Sequence, residues 1–199
     1  IMLALGLLFS FYLSPDDYQQ GSTVRIMYVH VPSAWLALLT YAIMTLYSIL
    51  ALAFRIPFGF IFNTAVAPIG AVFTLICIIS GSLWGKPMWG TWWVWDARLT
   101  SVAILFVIYL IIIFMNLSFE NRVIKEKVVA IFVLVGSINL PIVKFSVDWW
   151  NTLHQPASVK ILEETTIHSP MLTPLAIMTA AFALFSLLIF LMKYNTELL

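Results

Sequence analysis

Apolar residues run along this chain in six blocks, with polar residues gathered in the short stretches between them. The blocks cover residues 1–13, 34–54, 60–83, 99–117, 128–145 and 172–192. A hydrocarbon core of about 30 Å takes about 20 helical residues to cross. Five blocks meet that length. The first is short, and the chain opens on Ile1, so it reads as a span truncated at its N-terminus. The competing reading, a cleaved signal peptide, lacks a small-residue cleavage pattern, because Ser14-Pro15-Asp16-Asp17 looks like a helix exit. The pattern predicts an all-α integral membrane bundle of six transmembrane helices, with one polytopic domain over 1–199. An external tryptophan-rich loop is expected between spans three and four.

Composition agrees with the pattern. Of 199 residues, 62% are apolar and 10% charged, whereas a soluble domain has about a quarter of its residues charged. A net charge of +1 argues against a nucleic-acid partner. Cys77, alone in the chain, lies inside the third block, where it acts as a small apolar side chain and suggests neither a disulfide nor a zinc site.

Six spans place 14–33, 84–98 and 146–171 on one side of the membrane, and 55–59, 118–127 and the C-terminus on the other. The second side carries Arg55, Arg122, Lys125, Lys127 and Lys193 in far fewer residues. On the first side, Arg98 and Lys144 border helix ends where they can snorkel. The positive-inside rule therefore makes the first side external. His30, His154, His168 and every tryptophan except Trp35 fall in the external stretches, so the chemistry is expected at the outer face.

The densest stretch is Trp84 to Thr100, WGKPMWGTWWVWDARLT. An interfacial aromatic belt is the competing account of Trp84, Trp89, Trp92, Trp93 and Trp95. A belt spreads its rings over many helix ends, whereas these sit in one connector beside Gly85 and Gly90, which allow close backbone approach. A large, flat, apolar ligand explains the concentration better. His30 precedes Pro32, which suits the first turn of a helix. If the fifth helix continues outward, Trp150 and His154 share a face at i, i+4 spacing. Asp96 reads equally as a helix cap and as a site residue. Gly136, Asn139 and Pro141 predict a bend in span five, and Lys144 can reach Asp148. His168 reads as a loop residue, and the Glu163–Glu164 pair as solvated loop charge.

The run at 84–100, together with RIMYVHVPSAW at 25–35 and VDWWNTLHQ at 147–155, resembles the tryptophan-rich WWD signature of haem-handling membrane proteins. It is similar in particular to the CcmC family of cytochrome c maturation, and the likeness extends over essentially the whole chain. The resemblance implies a six-span protein of the bacterial inner membrane, or less commonly of mitochondria, that holds non-covalent b-type haem at the periplasmic face. It also implies a periplasmic haem chaperone of the CcmE type as recipient, with an ABC-type transporter pair and a very small membrane subunit as partners. Iron ligation is thereby assigned to His30 and His154, one on each side of the porphyrin, with the tryptophans stacking on it. The propionates would need cations, and Arg25, Lys86 and Arg98 are the candidates; Arg98 can alternatively pair with Asp96. Two other classes compete with a binding and transfer protein. A transporter of haem or a small solute would place polar groups in its spans, where this chain has mainly Asn63 and Asn139. An enzyme would show a catalytic motif, and none is present.

Overall fold

The computed structural model describes residues 1–56, 58–156, 165 and 167–198, with the side chains of 58–60 and 197–198 left aside. Lys160, Glu163 and Glu164 lie outside the described residues. The described chain is helical throughout and contains no strand. Its helices are α1 (Met2–Leu8), α2 (Met27–Phe54), α3 (Phe58–Trp89), α4 (Ala97–Ser118), α5 (Arg122–Gly136), α6 (Asn139–Trp149) and α7 (Ser169–Leu198).

Five helical stretches are long and apolar enough to cross a bilayer: Ser22–Phe54, Ile61–Trp89, Ala97–Ser118, Arg122–Trp149 and Ser169–Thr196. The first block of the sequence forms a shorter apolar run, Met2–Leu13, in which α1 continues into a wider π-type turn and packs against α7. The chain is a multi-pass membrane protein.

Lipid-facing residues of the bundle are as apolar as the lipid, so packing and interhelical hydrogen bonds hold the helices together. Tyr41 and Tyr109, both fully buried, meet edge to face at 5.3 Å between ring centres. Their hydroxyls donate to carbonyls of other helices, Tyr41 to Val133 (3.1 Å) and Tyr109 to Ala37 (2.8 Å). Each phenol thus adds core area and satisfies its polar end. The predicted bend separates α5 from α6. Pro141 has no N–H for the Ser137 carbonyl, which takes the Leu140 N–H instead (3.0 Å). The break turns buried Asn139 towards α4, where its amide donates to the Ser101 carbonyl at 2.9 Å.

Three helix boundaries differ from expectation. α2 begins at Met27 after a 3-10 turn, Ser22–Ile26, so Pro32 lies inside the helix instead of at its start. α3 runs on through Trp84 to Trp89, leaving only 90–96 as a connector. Gly90 ends it: its N–H returns to the Lys86 carbonyl (3.1 Å) at φ +77°, a left-handed conformation that suits glycine. Finally, α6 stops at Trp149, and Trp150 is extended (φ −135°, ψ 156°), so Trp150 and His154 do not share a helical face.

Candidate functional site

The connectors before α2, after α3 and after α6 converge at one end of the bundle. In the first, the Asp17 carboxylate accepts the N–H groups of Gln19 (2.9 Å) and Gln20 (2.8 Å), forming a turn that presents the Gln20 side chain. Gln20 Oε1 accepts from Trp84 Nε1 at 2.8 Å, which ties this turn to α3. Asp96 ties the other two together. One carboxylate oxygen caps α4 through the Leu99 N–H (2.8 Å), and the other accepts the Leu153 N–H (3.2 Å) beside His154. Of the two readings of Asp96 the cap is the one seen, and the same carboxylate also places the segment carrying His154.

His30 and His154, 124 positions apart in the sequence, come together here with ring centres 6.3 Å apart. A metal held between two imidazoles needs about 2 Å of metal–nitrogen bond on each side, plus about 1 Å from nitrogen to ring centre. The sum is about 6 Å, matching the observed spacing. Each ring also has its Nδ1 turned to an oxygen of the protein: His30 to the Cys77 carbonyl and Ser80 Oγ (both 3.1 Å), His154 to the Gln155 carbonyl (2.7 Å). Carbonyls only accept, so these contacts put the hydrogen on Nδ1 and leave Nε2 with a free lone pair. Burial lowers the pKa of His154 from its ordinary 6.5; the Gln155 carbonyl opposes that, Arg98 reinforces it and Asp96 opposes it. Burial thus favours the neutral form of the ring.

The space around the two rings is a cavity of about 230 Å³. Trp84, Trp89, Trp93 and Trp35 supply aromatic walls, and Arg98 and Lys144 supply positive charge. Trp89 meets Trp84 edge to face at 5.1 Å and stands 6.4 Å from His154. Two donors in this wall are buried without a partner, Trp93 Nε1 and Arg98 Nε. Unsatisfied buried donors are costly, and a ligand carrying acceptor oxygens would relieve that cost. No set of three or more His, Cys, Asp or Glu side chains converges among the described residues. A metal carried in a macrocycle that brings its own equatorial donors would need only two further donors, one from each side.

Other expected site residues are placed elsewhere. Arg25 pairs with Asp16 at 3.0 Å and borders a separate shallow groove with α1. Lys86 donates to the Gly90 carbonyl (3.1 Å) and lies over the Trp92 ring at 5.9 Å. Trp92 and Trp95 are 53% and 78% exposed and do not line the cavity. Trp95 packs edge to face on Trp93 at 5.5 Å. The expected ion pair of Lys144 with Asp148 does not form among the described residues, because Lys144 faces the cavity. Arg98 likewise forms no ion pair with Asp96, whose two oxygens are taken by main-chain N–H groups. His168 is an exposed loop residue just before α7.

Sequence reasoning missed Trp35, Gln20 and Lys144 as cavity residues, and Ser80 behind His30. Helical spacing held a signal for the first. His30, Ala34 and Leu38 follow one another at i, i+4 along α2 and all line the cavity, which marks the face beside which Trp35 lies.

The sequence matches the CcmC family, described as heme exporter protein C, over residues 1–199. This chain belongs to the CcmC family. The heme exporter protein C of Bradyrhizobium diazoefficiens is 48% identical over 199 residues, all of this chain and 75% of that protein. The Escherichia coli K12 protein of the same name is 42% identical, again over the whole chain and 80% of its own length. A putative cytochrome c biosynthesis ccmC-like mitochondrial protein of Marchantia polymorpha is 49% identical over 91% of this chain and 76% of its own. The family's members thus occur on both bacterial and mitochondrial sides, and the likeness includes all three connectors that build the cavity.

Proposed function

We propose that this CcmC-family chain handles haem for cytochrome c maturation, binding it as non-covalent b-type haem between His30 and His154. The carrying observation is the pair of imidazoles with ring centres 6.3 Å apart, each with Nδ1 engaged. That spacing and tautomer suit an iron ligated on both sides. Trp84, Trp89 and Trp93 would cover the porphyrin face, while Arg98, whose Nε is unpaired, and Lys144 would meet its propionates. The chain acts as a binding and transfer protein and not as an enzyme. Haem would leave from the side of exposed Trp92 and Trp95 to a periplasmic chaperone of the CcmE type, beside ABC-type transporter subunits and a small membrane subunit.

In this reading the cavity end faces the periplasm across a bacterial inner membrane, and the run Met2–Leu13 belongs to a sixth span. The orientation is supported by the denser Lys and Arg of the opposite connectors, and the sixth span by the apolar character of Met2–Leu13. The test is the visible spectrum of the purified protein. A low-spin, six-coordinate haem spectrum is expected in the unmodified chain, and its loss in the doubly substituted His30→Ala, His154→Ala protein. A double variant that retains the unmodified spectrum would refute the ligation.

A further inference from the structure

We infer that Ser80 is a positioning residue for His30, fixing its tautomer and the direction of its free nitrogen. This rests on the reading of His30 as an iron ligand, yet the geometry stands without it. Ser80 is 6% exposed on α3, and its hydroxyl lies 2.6 Å from the Ile76 carbonyl and 3.2 Å from the Cys77 carbonyl. A hydroxyl has one hydrogen. With that hydrogen on either carbonyl, Oγ faces His30 Nδ1 as an acceptor. The Cys77 carbonyl, also 3.1 Å from Nδ1, is an acceptor in any case. A bare Nδ1 would set three lone pairs against one another, so Nδ1 carries the hydrogen and divides it between two oxygens.

The neighbouring residue completes the seat. A Cβ added at Gly81 would come within 3.1 Å of His30 Cε1, so the ring rests directly on the α3 backbone. Two acceptors at one ring edge and a backbone surface beneath it leave the imidazole one orientation. An outer partner of this kind raises ligand basicity and holds the ring on axis, and its loss typically weakens metal binding by about 10- to 100-fold.

The experiment uses the full-length protein in detergent, labelled with 15N-histidine and observed at pH 8. The His30 resonances are assigned by their loss in His30→Ala. Without haem, His30 should show a single tautomer protonated at Nδ1. In Ser80→Ala the Cys77 carbonyl is left as the one acceptor at that ring edge, so Nδ1–H should remain the major form while a minor Nε2–H population becomes detectable; in Ser80→Thr the tautomer should stay single, and Ser80→Cys, a weak donor and acceptor, should fall between. With haem bound, dissociation from Ser80→Ala should be about tenfold faster, with recovery in Ser80→Thr. A single Nδ1–H tautomer in a Ser80→Ala protein that elutes as the unmodified one does would overturn the inference. So would an unchanged dissociation rate in that variant. If the tautomer depends on the hydroxyl but no variant, nor the unmodified protein, takes up haem, the positioning role stands and the haem reading alone fails.

Discussion

The two histidines of the cavity are held by opposite means. His30 grows from α2 and is pinned against α3 by a carbonyl, a hydroxyl and a glycine surface. His154 sits in an irregular segment, its Nδ1 satisfied by the next residue's carbonyl, and the Asp96 carboxylate ties that segment to α4. Leu153 and Gln155 on either side of it are exposed. Helix-borne groups move with the whole bundle, whereas a loop opens locally at low free-energy cost. If the pair holds iron as proposed, one bond would stay with the scaffold while the other could swing away to release the ligand.

The largest test of that contrast is removal of each ring with added imidazole as a replacement. His30→Ala and His154→Ala should each weaken haem binding at least about 100-fold, above the upper end of the effect of losing an outer partner. Added imidazole should restore a six-coordinate spectrum in His154→Ala, whose site adjoins exposed residues. It should do so poorly in His30→Ala, whose site is closed between two helices. Equal rescue, read by titration of the visible spectrum, would erase the distinction between the two halves.

Gly81→Ala attacks the rigid half alone. The new methyl meets His30 Cε1 at 3.1 Å, while exchange of glycine for alanine inside a helix favours the helix by about 1 kcal/mol. Thermal stability should therefore hold or rise while haem affinity falls about tenfold. Parallel loss of both would mean that the substitution had damaged the bundle instead of the ring's seat.

Asp96→Asn attacks the loop half. An amide keeps one acceptor oxygen, so either the α4 cap or the Leu153 contact is lost. The expected cost is about 1 kcal/mol of stability and a mixture of haem ligation states that mimics partial loss of His154. The same change should leave the His30 tautomer unaltered by 15N spectroscopy, because Asp96 does not touch His30.

The same division explains what could be read from the sequence. Hydropathy located five spanning helices because apolar runs answer directly to bilayer thickness, and Gly136, Asn139 and Pro141 marked the break in the fifth because proline removes a backbone donor. The two histidines stood out through their setting among tryptophans and through the family resemblance, and the fold brings them together. Their partners were hidden. Cys77 reads as a small apolar side chain, and it is; what His30 uses is its carbonyl, which every residue type offers. Trp92 and Trp95 carry the motif as strongly as Trp89 and Trp93 do, yet turn outward, because a seven-residue connector (90–96) cannot aim every ring at one cavity. Arg25 and Arg98 look alike in sequence, but of the two only Arg98 lines the cavity that holds the histidines.

The smallest expected effect concerns pH and falls on His154. Its folded pKa is depressed, first by burial, from the ordinary value of 6.5. The unfolded chain therefore takes up a proton at higher pH than the folded one, and stability rises with pH across the interval between the two values. Above 6.5 both states are neutral and the residue contributes no slope; as pH falls below 6.5, proton uptake by the unfolded chain erodes stability until the folded ring also charges. For the proposed ligation the direction would be favourable, since protons would compete with a metal for Nε2 only below the depressed value. Thermal midpoints measured without haem should be flat from pH 8 to about 6.5 and decline below it, and the decline should be shallower in His154→Gln, which has no titrating ring. An identical acid slope in His154→Gln would show that the loop already opens enough to solvate its histidine in the resting state. The two halves of the cavity would then differ still more than their hydrogen bonds indicate.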